Sequence, residues 1–171
     1  MKKLAFSLLA VVLFFSACSK DDDNTTTPAN SFTIDGKVAT TPYGYKYGTP
    51  GSGAGVSFLT VPDSLVTNYT GTASGVDINM DTLINNQTFT YSRDDSSTYN
   101  KTKNFYGASV FYNASIINGE MKDSTGIQYN KPTGGTVTVK ITGNIYTFDY
   151  SLQFDTKTIT GKFSDTLTVV E

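Results

Sequence analysis

The feature that most constrains the fold is a two-residue alternation running through the last third of the chain. Val137, Val139 and Ile141 alternate with Thr136, Thr138, Lys140 and Thr142. After Gly143-Asn144, Tyr146, Phe148, Tyr150, Leu152 and Phe154 alternate with Thr147, Asp149, Ser151 and Gln153. A polar turn at Asp155 to Lys157 follows. Ile159, Gly161 and Phe163 then share a face opposite Thr160 and Lys162, and Leu167 and Val169 continue it. Side chains of a strand point alternately to its two faces, so each run predicts a half-buried strand. Three such runs joined by tight turns predict an antiparallel meander.

The same period recurs upstream. Phe32 and Ile34, the Asp35-Gly36 turn and Val38 predict a short opening hairpin, and Val56 and Phe58 mark another strand. Val76, Ile78 and Met80 alternate with Asp77, Asn79 and Asp81, while Phe89 and Tyr91 face one way after a loop at Ile84 to Gln87. Tyr106, Ala108, Val110, Tyr112, Ala114 and Ile116 line one face of a long strand, which Asn118-Gly119 turns back into residues 120 to 129. No segment after residue 31 places apolar residues at helical spacing. Thr is the commonest residue, and 11 Tyr, 11 Phe and 15 Gly supply strand and turn chemistry. The expectation is one all-β domain over residues 32–171. It is a single antiparallel meander of about nine or ten strands, closing as a β-sandwich or a calycin-like β-barrel, since long Thr-rich faces with few charges make open edges hazardous.

The first thirty residues read as an address. Lys2 and Lys3 precede an apolar run from Leu4 to Phe15, shorter than the roughly 20 residues a bilayer span needs. That fits the h-region of a signal peptide over residues 1–17. The run ends in Phe15-Ser16-Ala17-Cys18, with small residues before the single Cys of the chain. This resembles a bacterial lipobox, which implies cleavage before Cys18 and lipidation of that residue. Ser19-Lys20-Asp21-Asp22-Asp23 follows directly and resembles the acidic export signal of surface lipoproteins of the Bacteroidota type. The resemblance implies an outer-membrane protein held by its lipid and facing the cell exterior. Residues 18–31 then form an acidic tether, polar and without periodicity towards its end, NTTTPANS. The pattern Gly135-Thr136-Val137-Thr138-Val139, Tyr146, Phe148, Thr158-Ile159-Thr160-Gly161 and Phe163 is similar to the C-terminal meander of small surface-exported lipoproteins of the same group.

The absences bear on chemistry. With 0 His and 1 Cys there is no Ser-His-Asp or Cys-His site, no His-ligated metal and no disulfide within the chain. Arg93 is the only arginine and the net charge is −2, so nothing predicts nucleic-acid binding. No cofactor or metal is expected. Asp94 and Asp95 lack the spaced ligands of a dedicated Ca²⁺ loop and read as solvated. A glycosidase needs two converging carboxyls, and nothing in the pattern brings Glu120 to Asp123, Asp149 or Asp165.

The expected function is therefore non-enzymatic: a membrane-anchored domain binding a small apolar ligand, a glycan or a surface protein. The alternatives are a structural or adhesive module without a ligand pocket, and a carboxylate-dependent hydrolase. Tyr43, Tyr45 and Tyr47 lead into a Gly-rich loop and are candidate ligand contacts, because Tyr offers an apolar face and a polar tip. Asp165 shares the parity of Phe163 and would point inward in an unbroken strand, as a candidate cavity residue. Asp63-Ser64-Leu65, Asp81-Thr82-Leu83 and Asp165-Thr166-Leu167 resemble the O-glycosylation sequon of exported proteins in this bacterial group, which implies Ser64, Thr82 and Thr166 as acceptors.

Overall fold

A computed structural model describes residues 28–48, 54–62, 68–122 and 125–170. The signal peptide, Cys18, the export signal Ser19 to Asp23, and Ser64 lie outside the described residues. Within them the protein is all β. Its strands are β1 (Ser31–Ile34), β2 (Lys37–Thr40), β3 (Tyr43–Tyr47), β4 (Gly55–Leu59), β5 (Gly71–Asn79), β6 (Gln87–Tyr91) and β7 (Asn104–Phe105). They continue as β8 (Gly107–Ile117), β9 (Glu120–Met121), β10 (Ile127–Tyr129), β11 (Gly134–Thr142), β12 (Ile145–Phe154), β13 (Lys157–Asp165) and β14 (Thr168–Val170).

These strands form two sheets. The first runs β2-β1-β13-β12-β11-β6-β7, and the second runs β10-β8-β5-β4-β3-β14 with β9 also on β8. Each is mixed, because β7 lies parallel to β6 and β14 parallel to β3. The sheets share one core and do not close into a barrel, an arrangement consistent with a β-sandwich. Two expectations are corrected here. The chain is not a single antiparallel meander, and the described residues hold fourteen strands rather than nine or ten. The additional strands are two to three residues long, too short to show a period. Parallel pairing joins segments far apart in sequence, which alternation within a segment cannot reveal.

The C-terminal meander folds as the alternation dictates. Val137 pairs with Tyr150, Val139 with Phe148, and Phe148 in turn with Phe163. All but Tyr150 are wholly buried, and Tyr150 keeps only 4% of its surface. The second sheet answers with Val56, Phe58, Val76, Ile78 and Val110. Phe58 inserts among three rings of the first sheet, with centroids 5.1 Å from Phe148, 5.8 Å from Tyr150 and 4.6 Å from Phe163. Such contacts add to area burial, by about 0.5–1.5 kcal/mol per well-placed aromatic pair. The ring of Tyr150 runs over Gly161, where a Cβ would stand 2.4 Å from its hydroxyl, and that hydroxyl is buried with no partner among the described residues.

The long strand β8 departs from its expected single face. Ala73 of β5 pairs with Ala114 and Gly75 with Phe111, so Ser74 alone opposes Tyr112 and Asn113. Asn113 takes a left-handed φ of 51° and its amide donates to the Ser74 hydroxyl at 2.9 Å. The bulge reverses parity. Ala108 and Val110 face the main core, whereas Ala114 and Ile116 join Phe111 and Ala73 in a separate cluster on the other face of the sheet.

Candidate functional site

The outer face of the second sheet is built from three cross-strand rows. One reads Tyr47-Gly55-Asn79-Gly107, the next Tyr45-Ser57-Asp77-Ser109, and the third Tyr43-Leu59-Gly75-Phe111. Each crosses β3, β4, β5 and β8 in that order. Outward positions on the central strands β4 and β5 include Gly55, Ser57 and Gly75, and the larger rings of Tyr43, Tyr45, Tyr47 and Phe111 flank them. Glycine at 55 and 75 is what lets those rings lie down: a Cβ at Gly55 would stand 2.5 Å from the Tyr47 hydroxyl, and one at Gly75 2.7 Å from Phe111.

The result is a groove. Two adjoining hollows of about 300 and 280 Å³ share Ser57 and Leu59. Tyr45, Tyr47 and Val170 wall one end; Phe111, Ile116 and Met121 wall the other. Asp77 sits half-buried on the floor. Ser57 donates to its Oδ1 at 2.5 Å and Ser109 to its Oδ2 at 2.9 Å. Burial holds the Asp77 carboxyl above the usual carboxylate range, and these two hydroxyl donors pull it part of the way back. No Lys or Arg pairs with Asp77 among the described residues. The Tyr47 hydroxyl donates to Asn79 Oδ1 at 2.8 Å. Its pKa is pushed up to about 12 by burial and then by the neighbouring Asp77 and Tyr106.

The residues singled out from the sequence fall in several places. Tyr43, Tyr45 and Tyr47 occupy one side of β3 on this outer face, with Tyr45 and Tyr47 lining the groove. Tyr43 and Tyr45 also meet Asp165 and Thr166 around a smaller hollow of about 180 Å³ at the sheet rim. The expected inward orientation of Asp165 is corrected: it lines that rim hollow from an exposed position. Its pairing with Tyr146 keeps the register of β13, but the strand ends there and Asp165 is exposed. Its carboxylate accepts from the Thr166 amide at 2.7 Å. Thr166 is exposed, whereas Thr82 donates its hydroxyl to the Lys101 carbonyl at 2.6 Å. Glu120 pairs with Lys122 at 3.0 Å on the second sheet, and Asp149 lies 3.7 Å from Lys162 on the first. The 93–100 loop is held by its own contacts, including Arg93 to Asp95 at 2.6 Å. Among the described residues no three His, Cys, Asp or Glu side chains cluster as metal ligands would.

Asp77, Ser57 and Ser109 were not found from the sequence. Each reads there as an ordinary outward polar residue. One signal was present: glycine and serine at outward positions of strands whose inward positions are large leave room above the sheet. A scan of protein-family models finds no match, and neither do searches of curated proteins and of solved structures.

Proposed function

We propose that this protein is a lipid-anchored, non-enzymatic binding domain on the outer face of the outer membrane, and that its ligand sits in the outer-face groove of the second sheet. The observation that carries the reading is the recessed carboxylate of Asp77, which lies between aromatic walls in a groove floored by small residues. A folding core gains nothing from a charge placed there without a cation, since burial of an unpaired charge is costly. Strands β3, β4, β5 and β8 hold the groove rigidly, so a ligand meets a preformed surface. Lipidation of Cys18 and the acidic run Ser19 to Asp23 supply the anchor and the address, and the groove then faces partners outside the cell. A small ligand, a glycan or an extended segment of a surface protein docks there by complementarity, with Tyr45 and Tyr47 as the aromatic contacts.

Native mass spectrometry of the full lipidated chain, extracted in detergent from its producing cells, tests the binding site. The expected result is a co-purifying mass that is released on denaturation and missing from a Ser57→Phe variant, whose ring fills the groove. A ligand retained undiminished by Ser57→Phe would place the site elsewhere. Protease treatment of intact cells tests the address: a chain that survives it while periplasmic exposure degrades it faces inward.

A further inference from the structure

The hydrogen-bond polarity of the groove floor narrows the ligand. Ser57 and Ser109 each have one hydroxyl proton, and both protons point at Asp77, one on each carboxylate oxygen. The Tyr47 proton is engaged with Asn79 Oδ1. What the floor shows to an incoming group is therefore acceptor capacity: the remaining lone pairs of Asp77 and those of the two serine oxygens. The ligand has to bring the protons.

Charge decides which donor fits best. Apart from Asp77, every described residue lining the two hollows is uncharged. An anion finds no cation to receive it and is repelled by the carboxylate. A neutral polyol donates hydroxyls but leaves the half-buried charge uncompensated. A cation supplies both protons and the missing counter-charge, and Tyr45 and Tyr47, in the hollow that adjoins Asp77's across Ser57 and Leu59, offer aromatic surface for a cation–π contact. We infer that the groove binds an organic cation, an alkylammonium or guanidinium group held by Asp77 beside Tyr45 and Tyr47. This deepens, and rests on, the reading of the groove as the ligand site. Burial is what raises the proton affinity of Asp77, and the two serine donors offset it only in part.

The experiment titrates the full chain, carrying ¹³C-labelled Tyr, with butylammonium, propylguanidinium and, as a neutral hydroxyl donor, methyl glucoside. NMR reads the Tyr45 and Tyr47 ring signals. The expected result is saturable shifts with the two cations, weakened at least about tenfold in Asp77→Asn because a charged acceptor has become a neutral one. Raising salt from about 0.05 to 0.5 M weakens the cation titration in the unaltered chain. Tyr45→Leu, which keeps the carboxylate and removes one ring from a half-buried position, lowers cation affinity by a smaller factor and stands in if Asp77→Asn does not fold. Saturable shifts with methyl glucoside while both cations are inert would overturn the cation assignment and leave the groove reading intact. So would cation affinity that is indifferent to Asp77→Asn and to salt. No saturable shift with any of the three probes would overturn both.

Discussion

Replacing Tyr150 with Phe is expected to stabilise the protein, although it deletes an atom from the core. The Tyr150 hydroxyl is buried without a partner among the described residues. Leaving such a group unsatisfied costs about 1–3 kcal/mol. The ring itself is kept, so its stacking on Phe58 at 5.8 Å survives. Against the gain stands the space of one oxygen over Gly161, about 10 Å³, which at roughly 24 cal/mol per Å³ costs about 0.2 kcal/mol. The net expectation is a gain of about 1 kcal/mol, or roughly 3–5 °C in Tm for a domain of this size. Urea unfolding followed by circular dichroism reads it as a raised midpoint at constant m.

A second arm of the same test uses pH. Burial raises the pKa of Tyr150 well above its ordinary value of 10.0. Above pH 10 the unfolded chain therefore releases a proton that the folded chain retains. The unfolded state then binds fewer protons, so stability falls as pH rises, by up to about 1.4 kcal/mol per pH unit for this one group. Below pH 10 the contribution is flat. Tyr150→Phe removes that slope, and its advantage over the unaltered chain widens between about pH 10 and 11. A variant that loses 1 kcal/mol or more at neutral pH would refute the reasoning, because the hydroxyl would then have a hydrogen-bonding partner such as a buried water.

Other outcomes follow from the same contacts. Phe58→Ala removes a wholly buried ring with three aromatic neighbours and is expected to cost about 3–5 kcal/mol, measured by denaturant unfolding; a loss under 1 kcal/mol would mean that the two sheets do not pack through it. Burial raises the Asp77 pKa, so the folded chain holds that proton above 3.8 where the unfolded chain has lost it. Its contribution to stability therefore falls as pH rises through the window that opens just above 3.8, and Asp77→Asn gains relative to the unaltered chain across that window. Paired urea titrations across that range check the sign. Gly55→Val drives a side chain into the Tyr47 ring and the Ile78 carbonyl, and is expected to displace Tyr47 from its bond to Asn79, read by the Tyr47 ring resonances. Cys18→Ser is expected to move the protein from the membrane fraction to the soluble one, read by fractionation and immunoblot.

The meander from β11 to β13 was legible because each of its pairings joins neighbours in sequence. Alternation then fixes both face and register, as Val139 opposite Phe148 opposite Phe163 illustrates. The groove was not legible, because it is assembled by strand order. Tyr45, Ser57, Asp77 and Ser109 lie in one row only because β3, β4, β5 and β8 are adjacent, and β8 reaches that place across the excursion containing β6 and β7. Unbroken alternation puts Ala114 and Ile116 on the face of Ala108 and Val110, and a local feature moves them to the other. A single left-handed residue, Asn113, reverses the parity of all that follows it in β8, and Asn tolerates that conformation without announcing it. The tyrosines of β3 were visible as a set. Their common face was predictable, but the recessed carboxylate beside them was not.

The way the chain enters the fold has a mechanical consequence. Asn30 is fastened twice, its side-chain oxygen accepting from the Ser164 amide at 2.6 Å and its carbonyl from the Thr41 amide at 2.6 Å. Immediately beyond, β1 lies between β2 and β13, antiparallel to both. In the proposed anchored state, drag on a ligand held at the second sheet is balanced by the lipid at the other end of the tether, and the load enters at the start of β1. Antiparallel bonds lie across the strand direction. A pull along β1 therefore shears both ladders at once rather than opening them one rung at a time. If the proposed lipid anchor holds the chain, its pull would reach the domain where the domain resists being drawn out, and under flow the lipid rather than the fold would be the element expected to yield first.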